Sequence, residues 1–248
     1  MKNITILVLS FFDFFHKFKL LRFLKKIILN DLNLVLDIGA HKGESINFFL
    51  NNFKKNKIIS FEASPINFNS LKNKEVRLKK KFSKSIIQLE NMALGSSTES
   101  KKLKQFDESS SSTLSQINEN SKYFKKKFAW VNLFNKKKNF YREIQINIST
   151  LDNYIEANRI DLIDLIKIDT EGFEFEILQG ITRNFKRVKL ILFEHHYDDM
   201  IKKNYNFSHI NQLLSQNNFF RIHKAKMPFR KTFEYVYVNK FFKDDFKF

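Results

Sequence analysis

Asn33-Leu34-Val35-Leu36-Asp37-Ile38-Gly39-Ala40-His41-Lys42-Gly43-Glu44-Ser45 is a short apolar run, broken by an acid and two glycines before a helical segment begins. It reads as strand, turn and helix. Leu34, Val35, Leu36 and Ile38 suit a strand buried on both faces, and Gly39 and Gly43 allow a tight turn with close backbone approach to a ligand. The helix that follows turns its N-terminus toward whatever occupies the turn. Glycine after a buried strand is also how a plain αβ corner turns, so the remaining segments decide what the turn is for.

Outward from this turn, the segment Glu44 to Phe53 carries apolar Ile46, Phe48, Phe49, Leu50 and Phe53, a cluster suited to a helix covering the sheet. Lys57 to Glu62 is a second short strand ending in an acid, and Pro65 opens a helix with Phe68 and Leu71 inward. Ile86 to Asn91 is a third strand, closed by a turn at Gly95-Ser96-Ser97. Strand-helix-strand-helix-strand is one mononucleotide-binding half of a doubly wound sheet. From about 98 to 148 the pattern is irregular and reads as an insertion, apart from the alternation of Ile144, Ile146 and Ile148.

Regular order returns at Thr150, a helix cap, and at Leu162 to Asp169, a fourth strand again ending in an acid. Glu171-Gly172 turns the chain into a helix marked by Phe173, Ile177, Leu178 and Ile181. Val188 to Phe193 is a fifth strand ending in Glu194-His195-His196. A helix from Ser208 to Gln216 precedes two closing strands, Phe219 to His223 and Phe233 to Val238, whose short connection makes them antiparallel. The fold expected is α/β, Rossmann-like and mostly parallel, within one domain spanning 31–248.

Composition bounds the partners. The 248 residues carry no cysteine, which excludes disulfides and Cys-ligated metals and is compatible with a reducing, cytoplasmic setting. The formal charge of +18 invites a nucleic-acid reading. Lys greatly outnumbers Arg, however, and the bias toward Lys, Asn, Ile and Phe is the kind that AT-rich coding DNA produces. Base and phosphate recognition leans on the Arg fork, so nucleic acid is not the expected partner. Residues 1–30 stand apart. Ile4 to Phe15 is strongly apolar but too short for a spanning helix, and Lys and Arg follow it instead of preceding it as in a secretory signal. The segment reads as a basic amphipathic helix, either lying peripherally on an anionic membrane face or packed on the domain.

Ligands of open α/β sheets bind beyond the carboxyl ends of the strands. Those ends carry Asp37, Glu62, Asn91, Asp169 and Glu194. Glu62 follows Asp37 by 25 positions, near the roughly 20-residue offset of an acid that receives a ribose hydroxyl pair. A carboxylate there repels a 2′-phosphate and argues against NADP. The GxGxxG of a dinucleotide turn is absent.

The segments VLDIGAHKGES, ISFEASP, ENMALGS, SSSSTL, TLDNYI, IKIDTEGFEFEILQG and LILFEHH occur in the order that characterises FkbM-like methyltransferases, which this chain resembles from about Asn33 to His196. The KIDTEGFEFEILQG block is the most specific. The resemblance implies a class I methyltransferase fold with a seven-stranded sheet whose last strand is antiparallel. It also implies S-adenosylmethionine as cofactor and O-methylation of a saccharide, glycan precursor or related natural product. Asp37, Gly39, Ala40 and Gly43 match the cofactor turn, Glu62 the ribose acid, and Asn91 with Ala93 the segment beside the adenine. Ala63 stands where the family commonly has proline, with the carboxylate intact.

Methyl transfer to a hydroxyl needs in-line positioning and a proton acceptor. Asp169, Glu171, Glu194 and His195 are the groups expected around the acceptor, with His195 the natural base because imidazole titrates near neutrality. One of His195 and His196 must point away if the strand continues. Asp169 and Glu171 would also serve simply as helix-terminal acids. The three acids could offer oxygen ligands to a divalent cation, but no metal ligand set is assigned. Ser109 to Leu114 matches a serine-rich family segment. The block Lys125-Lys126-Lys127-Phe128-Ala129-Trp130 with Lys136-Lys137-Lys138 would either close over an acidic glycan or form a solvated surface. An RNA or protein acceptor, or a basic binding module with a decayed site, are the alternatives.

Overall fold

The computed structural model describes residues 2–53, 57–106, 112–122, 124–125 and 141–248, with side chains from Phe15 onward. Residues 126–130, 136–138 and 109–111, which carry most of the lysine-aromatic block and part of the serine-rich segment, lie outside the described residues.

The opening stretch forms β1 (Leu34–Ile38), a turn, and helix α2 (Glu44–Asn52), preceded by helix α1 (Lys2–Ile27). β1 lies parallel between β2 (Lys57–Phe61) and β8 (Ile163–Ile168). β2 pairs in parallel with β3 (Ile86–Glu90), and β8 with β9 (Val188–His196). The closing hairpin folds back so that β12 (Thr232–Asn239) inserts antiparallel between β9 and β11 (Phe219–Lys226). The seven-stranded order is therefore β11-β12-β9-β8-β1-β2-β3. From β1 the chain winds outward one way through β2 and β3 and the other way through β8 and β9. The switch point falls beyond the carboxyl ends of β1 and β8, where open α/β sheets bind their ligands.

Strand alternation explains why these strands read as continuous apolar runs. Val35, Ile58, Leu165, Leu190 and Val236 face one layer, covered by Ile46 and Phe49 of α2, Leu71 of α3 (Pro65–Lys81) and Leu20, Leu24 and Ile27 of α1. Leu36, Ile59, Ile166, Ile191 and Tyr237 face the other, beneath the helices Leu151–Ala157, Glu174–Gln179 and Phe207–Gln216. Each such side chain contributes about 1.5–3 kcal/mol by leaving water. The expected cap at Thr150 is present, and Ser64 supplies a second. Ser64 Oγ accepts from Asn67 N ahead of Pro65 at 3.2 Å, and Thr150 Oγ1 accepts from Asn153 N at 3.1 Å.

The stretch 98–148 is less irregular than its sequence implies. β5 (Glu99–Phe106) pairs antiparallel with β7 (Tyr141–Thr150), and β4 (Ala93–Gly95) joins β7 in parallel, giving a second, three-stranded sheet. The inward face of β5 is Leu103 and Gln105, so a buried glutamine hides the period-2 apolar signal. β6 (Gln116–Ile117) pairs with β10 (Ile201–Lys202).

Candidate active site

A cavity of about 930 Å³ opens over the switch point. That volume is at the upper end for a small-molecule or cofactor pocket. On one side it is bounded by the β1–α2 turn, where Gly39 (φ 88°) and His41 (φ 48°) take left-handed backbone conformations. Gly39 is obligatory for a steric reason, since a Cβ there would sit 1.9 Å from the carbonyl oxygen of Asp169. Asp169 N in turn donates to Ile38 O at 2.9 Å, so the ends of β1 and β8 are locked together. Gly43 (φ 84°) faces Leu71 instead of the cavity, and its glycine serves the packing of α2 on α3.

Glu62 is buried at the end of β2 and lines the cavity. Its Oε2 accepts from His41 N at 2.8 Å, and its Oε1 accepts from Ser64 N at 2.9 Å and, more weakly, from Asn67 Nδ2 at 3.4 Å. These donors fix the carboxylate against the turn, while burial pushes its pKa up. Each carboxylate oxygen has two lone pairs, so Oε2 keeps accepting capacity for a ligand hydroxyl. Beside it, Phe61, Ala63, Met92, Ala93, Leu94 and Leu103 form an apolar wall suited to a flat base. Asn91 does not line the cavity. Its Nδ2 donates to Glu62 O at 2.9 Å and ties the end of β3 to that of β2. Glu62, the Gly39-Ala40-His41 turn and the apolar wall beside Ala93 thus fit an adenosine-bearing cofactor.

Asp37 is fully buried beneath the cavity and does not line it. Lys167, opposite it in register on β8, puts Nζ 3.4 Å from Asp37 Oδ1 and 3.3 Å from Asp169 Oδ2. Burial raises the Asp37 pKa despite this lysine. For Lys167, burial alone would favour the neutral amine, but Asp169, Asp37 and Glu194 outweigh it and drive its pKa up. Lys167 is one of the cavity residues that the sequence alone did not single out. Its signal was a single lysine in the otherwise apolar and acidic strand ending in Asp169.

The far end of the cavity is polar. Asp169 and Glu171 extend from β8, Glu194 and His196 from β9, and Thr232 and Glu234 from β12. Glu194 is paired in register with Glu234, and burial together with Asp169 and Glu234 pushes its pKa well up. The expectation for His195 is corrected. Successive residues of β9 alternate, so Glu194 and His196 face the cavity while His195 turns to the opposite layer. There it is 2 % exposed, with its ring 4.7 Å from that of Tyr197 and 5.8 Å from that of Phe207. Burial, with Lys203 and His196 nearby, depresses its pKa to about 3, and its Nδ1 has no hydrogen-bond partner. It cannot reach an acceptor in this cavity.

His196 takes the place expected for His195, with a different protonation state. Its Nε2 lies 3.5 Å from Glu171 Oε2, and its Nδ1 lies 3.7 Å from Asp198 Oδ2 and 3.0 Å from Thr232 Oγ1. Burial opposes the charge, but Asp198, Glu171, Glu174 and Glu194 raise its pKa to about 10. At neutral pH it is an imidazolium, a donor and not a base. Among the described residues, no group of three or more His, Asp or Glu side chains is placed to hold a metal ion.

A family model described as Methyltransferase FkbM domain matches residues 37–221. A crystal structure of Methyltransferase FkbM from Methylobacillus flagellatus KT superposes with a TM-score of 0.53 at 18% identity, covering 84% of this chain and 44% of that one. This chain therefore spans less than half the length of that structure. Magnesium protoporphyrin IX methyltransferase from Synechocystis PCC 6803, solved with bound SAM, superposes with a TM-score of 0.50 at 10% identity, covering 96% of this chain and 83% of that one. At these identities the likeness is one of fold. No curated protein matches the chain.

Proposed function

The chain belongs to the FkbM methyltransferase family, and we propose that it is an S-adenosylmethionine-dependent O-methyltransferase acting on a hydroxyl of a saccharide, glycan precursor or related natural product. The observation that carries this reading is that Glu62, set to receive a ribose, and Asp169, held by Lys167, face one cavity from opposite sides of the switch point. The cofactor, when bound, supplies a methyl group on a positively charged sulfur.

The residues of the chain then have separate tasks. Glu62 and the Gly39-Ala40-His41 turn hold the nucleoside side, while Asp169 at the end of β8 stands nearest the turn and takes the hydrogen of the acceptor hydroxyl. Lys167 fixes the Asp169 carboxylate. His196 donates from Nε2 to an oxygen of the acceptor and so orients it, a charge-assisted bond stronger than a neutral one. Glu194 and Glu234 accept from further hydroxyls. Carboxylates outnumber Lys and Arg in this lining although the chain as a whole is strongly basic. A phosphate-rich acceptor such as RNA meets the wrong charge there, whereas a polyhydroxylated one finds many acceptors for its hydrogens.

Calorimetry with S-adenosylmethionine and its demethylated product tests the cofactor, and transfer of a labelled methyl to a panel of glycosides tests the acceptor. Folded protein that binds neither nucleoside overturns the reading.

A further inference from the structure

We propose that α1 docks this protein on an anionic lipid bilayer, with its outer face against the headgroups and its inner face forming part of the cavity wall. The inner face is a helical stripe. His16, Leu20, Leu24 and Ile27 are buried, and His16 Nε2 reaches Glu234 Oε2 at 2.6 Å. His16, Lys17 and Leu20 line the cavity. The helix is thus fixed to the body along its second half.

Its outer face combines two features seldom left together on a soluble surface. The charged residues from Lys17 to Lys26 are Lys17, Lys19, Arg22, Lys25 and Lys26, without one acid among them. Among or beside them, Phe18 is 52% exposed, Phe15 44% and, just past the helix end, Leu29 55%. Phe15, Phe18 and Arg22 recur at helical spacing, so aromatic and cationic groups share one side of the helix, and exposed Leu29 follows just beyond its end. Ahead of them the sequence from Ile4 to Phe15 is apolar apart from Thr5, Ser10 and Asp13, and the helix continues through it. At about 1.5 Å per residue that stretch is roughly 18 Å long, short of the roughly 30 Å hydrocarbon core. Among the described residues, no helix is long and apolar enough to cross a membrane. A helix that cannot span but offers apolar side chains edged by lysine matches the interfacial mode, in which rings enter the headgroup boundary and cations meet anionic lipid.

Nucleic acid is the less favoured partner. Exposed phenylalanines beside the cations would gain nothing along a phosphate backbone, and only one of the five cations is an Arg. Because the same helix borders the cavity, docking brings the cavity mouth beside the bilayer. The docking itself does not depend on methyl transfer, and it is read without cofactor.

The test is co-sedimentation of the full chain with vesicles of phosphatidylcholine alone and of phosphatidylcholine mixed with phosphatidylglycerol. Binding is expected only to the anionic vesicles, weakening as salt rises. Arg22→Glu/Lys25→Glu/Lys26→Glu, none of which lines the cavity, is expected to lower the partition coefficient by roughly a hundredfold or more. Phe15→Ser/Phe18→Ser is expected to weaken binding and leave its salt dependence in place. Unchanged thermal unfolding shows that each variant is folded. The proposal is overturned by equal binding to both vesicle types or to neither. It is equally overturned by charge-reversed protein that still sediments with anionic vesicles, or by salt-sensitive RNA binding in the absence of vesicle binding.

Discussion

His196 Nε2 stands 3.5 Å from Glu171 Oε2, and the preceding residue on the same strand points into the opposite layer of the protein. Two adjacent histidines therefore have unrelated fates. His196→Gln removes a charge-assisted donor worth about 1.5–3 kcal/mol, so kcat/KM is expected to fall by roughly tenfold to a hundredfold with cofactor affinity unchanged. His195→Leu removes a buried ring whose Nδ1 is unpartnered, and turnover is expected within about twofold of the parent. Steady-state kinetics on both variants decide the assignment, and the reverse ranking would restore His195 to the mechanism.

The same pair shapes stability against pH. His195 has a pKa depressed to about 3, so between there and about 6.5 the unfolded chain binds more protons and stability falls as the solution is acidified. His196 has a pKa raised to about 10, so its contribution is full below about 6.5 and is lost as pH rises toward 10. Each effect is on the order of a few kcal/mol, and for these two groups together stability peaks near neutrality. Urea unfolding across this range should show the acid limb flattened in His195→Leu and the alkaline limb flattened in His196→Gln. Unaltered limbs would mean that neither histidine is the titrating group.

Glu62→Ala should weaken S-adenosylmethionine binding by roughly tenfold to a hundredfold, the worth of one lost charged acceptor. It also strands the amides of His41 and Ser64, so part of the loss reflects a loosened turn. Asp169→Asn separates the two halves of the site. Its expected signature is a drop in kcat of roughly 10²–10⁴ with cofactor affinity kept. Calorimetry on both variants checks the division, and an Asp169→Asn protein with parental kcat would remove that residue from proton transfer.

Much of this architecture was legible because its strands are short, apolar and closed by acids, and because the parallel core leaves few ways to order them. The seven-stranded sheet with its antiparallel last strand followed from that reading and from the family resemblance, whereas the insertion of β12 between β9 and β11 is set by long-range pairing that no local pattern shows. The site was legible in part. Glu62 announced itself by its offset from Asp37, whereas Asn91 and Gly43 serve the backbone and packing around the cavity without lining it. Choosing Glu194 and His195 together conflicted with strand alternation, which places Glu194 with His196. Lys167 and His16 were hidden for another reason. Each acts through a partner remote in sequence, Asp37 and Glu234 respectively, and only the folded chain brings such pairs together.

Gly39→Ala should be far more damaging than Gly43→Ala, although both glycines have positive φ. A methyl at 39 meets the backbone carbonyl of Asp169 at 1.9 Å, which nothing can relieve without separating β1 from β8. At 43 it meets Leu71 Cδ1 at 2.9 Å, the movable end of a side chain. Expected losses are more than about 3 kcal/mol for the first and about 1–2 kcal/mol for the second, read from denaturant midpoints. Equal losses would show that backbone conformation, and not the clash with Asp169, sets the requirement at both positions.

Lys167→Met tests the charge beneath the cavity. Lys167 Nζ is 3.4 Å from Asp37 Oδ1, and Asp37 is fully buried, with Ser60 Oγ donating to Oδ2 at 3.4 Å and the Ser45 side chain also donating to the carboxylate. Removing one member of a buried pair typically costs about 3–5 kcal/mol because the other charge stays behind without compensation. Lys167→Met alone is expected to lose that much, and Asp37→Asn/Lys167→Met to regain a large part of it, since neither charge is then stranded. Recovery cannot be complete, because Asp169 and Glu194 also lose their neighbouring cation. Activity should stay low in the double variant, where the Asp169 carboxylate is no longer held in place. A double-mutant cycle in urea measures the coupling. A coupling near zero would mean that Asp37 and Lys167 are solvated independently and that the pair does not organise the site.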